Sequence, residues 1–390
     1  MRGANFEDNH AGKLIRIEPL DGLRGIAILA IVFGHLFIDP YERVIHHYTP
    51  CLWAMLRNFR WGVSLFFVIS GFLIGGILLD NSFSKVFLKS FYIRRAIRIL
   101  PLYYILVFFI LGREYFFGDT LPTNITPFWS YLFFLQNFWK PQYYYHFVEA
   151  GVTWSLAIEE QFYLLAPLFL TGSTSKIIKR VVPLLIIISI CCRTLCRLHL
   201  GLQFQAYGHL ITLQYLEPGF LSTIDVIAIG VWGAFILRIK RFQAILTTRF
   251  SRYCAVPIVG AILTLASISI QMREPFWIVV FGPDILGFLF VGLILIIVLN
   301  KKIFINQLLS TRLLTIPGKY CYFIYLFHQV MFANANLFFE GTVFYNGFIV
   351  RCIAVSITFA SSIISWRFLE YPMSNQARKK WNYPQSQENL

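Results

Sequence analysis

Arg24 and His35 stand eleven positions apart in an otherwise apolar stretch, Leu20–Ile38, where Asp21 and Arg24 interrupt a run fit to enter a membrane. At ~1.5 Å and ~100° per residue, eleven helical residues climb about 16 Å and return to within about 20° of the same face. The two side chains therefore look down one stripe, with Ile28, Ile31 and Val32 on or beside it. An ionisable group at a bilayer centre costs roughly 2.5–3.5 kcal/mol on insertion scales, so it faces a protein interior or a wet cavity. An imidazole held there can be satisfied by a neighbouring helix. It can also serve catalysis, because its charge changes near neutral pH.

Three more groups have the types and spacing for chemistry. Arg94, Arg95 and Arg98 lie at i, i+1 and i+4, so their guanidinium groups gather at one helix end. Three arginines in five residues suit bidentate capture of phosphates, although positive charge at a membrane face also fixes topology. Thr153–Phe169 (TWSLAIEEQFYLLAPLF) carries Glu159 and Glu160 inside an apolar helix. Ser155, Glu159 and Tyr163 follow one another at four-residue steps on one face, and Glu160 points about 100° away. One of the carboxylates suits a catalytic role and the other a structural partner for an arginine; the spacing does not choose between them. Tyr325 and His328, three apart, are neighbours on a later helix, and Asp225 sits within another apolar run.

These residues need a scaffold of membrane helices. A hydrophobic fraction of 57% with 14% charged residues and a mean hydropathy of +0.64 excludes an ordinary soluble domain. The net charge of +15 is dispersed in short clusters between apolar runs, which excludes a nucleic-acid-binding stripe and fits cytoplasmic loops. The cysteines lie mostly in apolar segments, as reduced small hydrophobes, and neither they nor the adjacent His46 and His47 form a metal-ligand set. Residues 1–17 are polar, with no cleavable leader pattern.

The expected fold is all-α: one polytopic membrane domain over 18–372, with cytoplasmic tails at 1–17 and 373–390 and about ten spanning helices. Leu20–Ile38 is the first, followed by a loop at Asp39–Arg60. Trp61–Leu79 is the second, and its Gly71 and Gly75 make a small-residue ridge for a close neighbour. Asn81–Arg98 is a basic lead into the third, Ile99–Leu111. Phe128–Phe138 is too short to span and reads as re-entrant or interfacial. Later spans follow Thr153–Phe169, Val181–Leu198, Tyr215–Leu237, Cys254–Ile270 and Ile278–Leu299, then the Tyr325–His328 helix and one ending at WRFLEYP. With the N-terminus inside, all but nine of the 34 Lys and Arg residues fall on the cytoplasmic side; Arg193 and Arg351 are among the nine. That orientation puts both termini, Arg24 and the Arg94–Arg98 cluster at the cytoplasmic face, with His35 deeper.

The chain resembles the acyltransferase type 3 family in five motifs that occur in the family's order. They are the arginine, ten residues and histidine of Arg24–His35, then FFVISGFLIG, then RRAIRILP, then TWSLAIEEQFYLLAPLF, and finally the aromatic–histidine segment at Tyr325–His328. Asp225 with Gly230 resembles a further family motif, with Ile224 where an aromatic residue usually precedes the aspartate.

The resemblance implies a membrane-embedded enzyme of the cell membrane. It would transfer an acyl group, acetyl by default, from acyl-coenzyme A to a hydroxyl of a surface carbohydrate such as lipopolysaccharide or exopolysaccharide. Arg94, Arg95 and Arg98 would meet the donor nucleotide, and no metal is required. His35 would deprotonate the acceptor or carry the acyl group. Arg24 would neutralise charge at the thioester carbonyl, with Glu159 or Glu160, Asp21, Ser155, Asp225, Tyr325 and His328 in support. The lipid bilayer and the carbohydrate are the expected partners, with no nucleic acid and no assigned oligomeric state. From the residues alone an acyltransferase and a proton-coupled transporter are equally good fits; the ordered motifs, and the absence of an inverted repeat, favour the enzyme. Transfer to a small cytoplasmic natural product stays open as an alternative acceptor.

Overall fold

A computed structural model describes residues 17–48, 61–117, 128–138, 150–171, 175–207, 219–268, 276–339 and 347–383. The described residues are helical, with no strand among them. Ten of the helices among the described residues have seventeen residues or more: α1 (Glu18–Tyr48), α2 (Trp61–Asp80), α3 (Lys85–Phe117), α5 (Thr153–Leu170), α6 (Ser175–Tyr207), α7 (Phe220–Ile236), α9 (Arg249–Ile268), α10 (Phe276–Leu299), α12 (Arg312–Phe339) and α13 (Gly347–Ser365). Shorter pieces connect them: α4 (Phe128–Leu132), α8 (Lys240–Leu246), α11 (Phe304–Leu309) and α14 (Tyr371–Lys380). A π-helical turn at Trp366–Glu370 joins α13 to α14.

Among the described residues, six segments are fit to cross a membrane by length and composition: Glu18–Leu36, Trp61–Asp80, Lys85–Arg113, Lys176–Leu198, Phe276–Leu299 and Gly347–Lys380. A seventh arises if α7 and α8, bent by 94° at their junction, are taken together. α5 is long enough, but Glu159, Glu160 and Gln161 dilute its apolarity. α4 has five residues, about 7.5 Å of helix, and cannot cross a hydrocarbon core of about 30 Å.

Four boundaries differ from the sequence reading. α1 does not stop at Ile38 but runs to Tyr48 through the stretch expected to be a loop; the polarity of Tyr41–Tyr48 reports its surroundings, not the end of the helix. The side chains of His46 and His47 are outside the described set. α3 begins at Lys85, so the arginine cluster is borne on the helix itself, ahead of Pro101. Part of the basic stretch after α7 is helical, as α8 and the start of α9. The expected tail from residue 373 instead forms most of α14, and Tyr383 beyond it packs against the core.

Two close helix pairs organise the bundle. Lipid is as apolar as leucine, so helices in a membrane associate by fit, and small residues let backbones approach. At Gly71 of α2, a β-carbon would land on the Ile227 carbonyl of α7; at Gly230 of α7 it would land on the Val68 carbonyl of α2. The Gly71–Gly75 ridge thus has α7 as its neighbour. On the other side α1 meets α12: a β-carbon on Gly25 would strike the Leu314 carbonyl, and one on Gly318 would strike the Asp21 carbonyl. Side chains of α1, α2, α3, α5, α7, α10 and α12 fill the common core. α6 and α13 stand at the periphery and leave Leu184, Ile187, Leu195, Ile349 and Ile357 exposed, as lipid-facing helices should.

Candidate functional site

The α1–α12 contact brings two histidines together. His35 Nδ1 is 3.0 Å from His328 Nε2, with ring centroids 5.1 Å apart. His328 is fully buried, and its Nδ1 faces the main-chain carbonyls of Ile324 at 3.1 Å and Tyr325 at 2.8 Å. A carbonyl oxygen only accepts, so His328 Nδ1 carries a proton, and in the neutral ring Nε2 holds a lone pair. His35 Nδ1–H therefore donates to His328. The lone pair of His35 then resides on Nε2, the nitrogen able to take a proton or attack an acyl carbon. Phe332 stands edge-on to the His328 ring at 6.0 Å. Arg351 of α13 donates from Nη1 to the His35 carbonyl at 3.2 Å and lies over the Phe332 ring at 5.5 Å.

From the His328 side, a polar path leads to a cavity of about 140 Å³. Arg24, Arg95, Arg98, Ser70, Ser155, Glu159, Tyr163 and Tyr325 are among its lining residues, with Phe66 and Phe67 on the apolar side. The Ser155–Glu159–Tyr163 face lines it as the helical spacing requires. Tyr163 donates to Glu159 Oε2 at 3.1 Å, and Ser70 lies 2.5 Å from the same phenol. Tyr325 donates to the Val152 carbonyl at 2.8 Å and is 2.5 Å from Ser155 Oγ. Tyr325 and Phe66 pack together, their rings 6.3 Å apart, and the Tyr325 ring is 6.2 Å from His328. Tyr325 thus stands between the cavity and the histidine pair, neither member of which lines the cavity itself.

The other end is cationic. Arg24 is paired with Asp21 at 3.1 Å, which fixes its direction. Arg95 lies between the rings of Phe91 and Tyr163, at 5.8 and 5.5 Å. Arg94 leaves the cavity and stacks on Tyr383 at 4.0 Å.

Asp225 and Arg24 each have a charged partner of their own. Asp225 is no partner of the imidazole: Arg193 Nη1 donates to its Oδ2 at 2.6 Å, while Nη2 donates to Asp284 Oδ2. The remaining contacts of this buried arginine go to the carbonyls of Val280 and Ser222, both at 2.8 Å, tying α6, α7 and α10 together. Arg24 leaves α1 about 16 Å from His35, and its pair with Asp21 holds it at the cavity. Glu160 points out of the cavity, and its Oε1 is buried with no hydrogen-bond partner among the described residues. Sequence reasoning missed Arg351, which had been counted only as a charge outside the cytoplasmic loops, and Ser70, to which it gave no role. Arg351 lies in no motif, and Ser70, although inside FFVISGFLIG, is marked there by nothing but its small size.

Residues 17–367 match the acyltransferase domain family Acyl_transf_3. The chain belongs to that family. Among relatives, the O-acetyltransferase OatA of Staphylococcus aureus (strain NCTC 8325 / PS 47) is 26% identical over 397 residues, covering 94% of this chain and 58% of OatA. The "Putative peptidoglycan O-acetyltransferase YrhL" of Bacillus subtilis (strain 168) is 28% identical over 392 residues, covering 94% of this chain and 56% of its own length. The chain thus spans a little over half the length of these relatives. No solved structure matches it. For this acyltransferase-family chain, the match encloses His35, Arg24, Glu159 and His328 but stops short of α14.

Proposed function

We propose that the chain is a membrane-embedded O-acyltransferase that takes an acetyl group from acetyl-coenzyme A and delivers it to a hydroxyl of a cell-surface carbohydrate, peptidoglycan foremost. The observation that carries this reading is the His35–His328 pair, which lies just behind Tyr325, a lining residue of a cavity that Arg24, Arg95 and Arg98 also line. The acceptor class follows what the names of OatA and YrhL say of those proteins.

The cavity is smaller than the roughly 300–1,000 Å³ pockets that enclose drug-sized ligands. It suits the slender acyl-bearing arm of the donor, leaving the nucleotide on the rim beside Arg95 and Arg98. Arginine matches phosphate oxygens two at a time, which holds the donor in one direction. At the inner end, His35 Nε2 accepts the proton of the acceptor hydroxyl as its oxygen bonds to the thioester carbon. The carbon–sulfur bond then breaks and the thiolate takes up a proton. His328 holds the reacting tautomer of His35. The same nitrogen would attack in a two-step route through an acyl-histidine, and trapping of labelled acetyl on His35 tells the two routes apart. The arginine end is cytoplasmic in this reading, where the donor is made, and the acceptor approaches from the far side.

The test is transfer of labelled acetyl groups by purified protein in nanodiscs, with mass spectrometry of cell-wall glycans from cells with and without the gene. Unaltered protein should acetylate and His35→Gln should not, while both bind donor. Substantial transfer by His35→Gln overturns the assignment.

A further inference from the structure

Beyond the matched region, α14 turns back along the first part of α3. Phe87 meets Tyr383 with ring centroids 5.4 Å apart, Lys89 lies 4.9 Å from the Trp381 ring, and Arg94 lies 4.0 Å from the Tyr383 ring. Ala377 is buried against this surface, and its neighbour Arg378 is solvent-exposed. Arg378 is within electrostatic reach of Arg98, Arg94 and Arg95. Four guanidinium groups from two helices thus share one rim. None of the four forms an ion pair with a carboxylate within 4.0 Å among the described residues.

Glu159 and Glu370 lie within electrostatic reach of Arg98 but form no ion pair with it, so the four like charges still repel, and burial of Ala377 and stacking on Tyr383 hold them there nonetheless. Such an arrangement is matched by an anion with several phosphate groups. The cavity takes Arg95 and Arg98 but neither Arg94 nor Arg378, so the rim has an inner and an outer pair. A 3′-phosphorylated adenosine diphosphate has the same division: a pyrophosphate continuous with the arm that enters the cavity, and a separate phosphomonoester dianion.

We infer that Arg378 of the C-terminal helix, with Arg94, forms a second phosphate subsite that binds the 3′-phosphomonoester of the donor nucleotide, while Arg95 and Arg98 hold its pyrophosphate. This inference rests on the coenzyme A donor proposed above. The subsite makes α14 part of the binding surface, although it lies beyond the end of the family match.

Calorimetric titration of coenzyme A and dephospho-coenzyme A into the full chain, in nanodiscs of zwitterionic lipid, tests it. The unaltered protein should prefer coenzyme A by about tenfold, the loss expected of one charge-assisted contact. Arg378→Gln should abolish that preference while leaving dephospho-coenzyme A affinity unchanged, which also shows that the fold is intact. Arg95→Gln should weaken both ligands alike. Preference for coenzyme A retained in Arg378→Gln, or an equal loss for both ligands, overturns the subsite and leaves the donor reading standing. No saturable binding of either ligand by the unaltered protein overturns both. Repeating the series with anionic phosphatidylglycerol separates the other source of phosphate. If Arg378→Gln changes only the stabilisation by that lipid, the cluster serves headgroups and the inference fails.

Discussion

Replacing His328 should slow transfer without weakening donor binding. His328→Leu keeps an apolar side chain of similar size in the buried site but offers no lone pair to His35 Nδ1–H. Loss of one partner of a buried hydrogen bond costs about 1–3 kcal/mol. At about 1.36 kcal/mol per factor of ten, that is about 5- to 160-fold in rate if it falls wholly on the transition state. The loss should be smaller than that of His35→Gln, which removes a proton-transfer group worth about 10²–10⁴-fold. His328→Gln supplies a carbonyl oxygen that can accept from His35, so it should recover part of the rate. The assay is steady-state transfer of labelled acetyl groups in nanodiscs, with kcat and the donor KM measured separately. The donor KM should hold, because the arginine end lies about 16 Å along α1 from His35. An unchanged kcat in His328→Leu, or a loss carried entirely by KM, refutes the tautomer argument.

Three other outcomes are expected. Gly318→Ala would drive a β-carbon into the Asp21 carbonyl and within 2.9 Å of the Gly25 nitrogen, so α1 and α12 must part; overpacking of this kind typically costs about 1–3 kcal/mol, visible as a lower melting temperature in detergent together with lost transfer. Arg193→Gln strands Asp225 and Asp284 without their cation, which should destabilise the protein by about 3–5 kcal/mol, more than Asp284→Asn, with donor affinity in the surviving folded fraction unchanged. A folded Arg193→Gln protein that binds donor but transfers nothing would assign the triad to the chemistry instead. Reporter fusions after Lys140 and after Arg180 should read outside and inside respectively; a cytoplasmic reading at Lys140 overturns the ten-span topology.

Residues a few turns apart on one helix were legible in the sequence, because helical periodicity alone places them. The shared face of Ser155, Glu159 and Tyr163 is a case, and so is the Gly71–Gly75 ridge. Partners that meet only through tertiary packing were not. His328 is 293 positions from His35, and the pair exists only because glycines let α1 and α12 touch. Asp225 looked available for catalysis because nothing local hints at Arg193, on a different helix and read as a topological charge. Helix ends were misjudged where polarity changed while helix propensity did not, as at Tyr41–Tyr48. α14 read as a tail because its composition is polar; the aromatic side chains of Trp381 and Tyr383, just beyond it, are what seat it on α3.

The contacts at Gly25 and Gly318 also bear on what crosses the bilayer. Sliding α12 along α1 by one turn, about 5.4 Å, would force β-carbons of the neighbouring residues into backbone that now faces only hydrogen. A permease that exposes its site alternately to each side depends on such sliding or rocking. Here the two helices that carry the histidines are pinned by those contacts, which disfavours such sliding. On the function proposed above, the charged nucleotide would stay on its own side and only the acyl group would be handed over. A protein working in that way would pass acetyl groups across the bilayer without opening a path for ions.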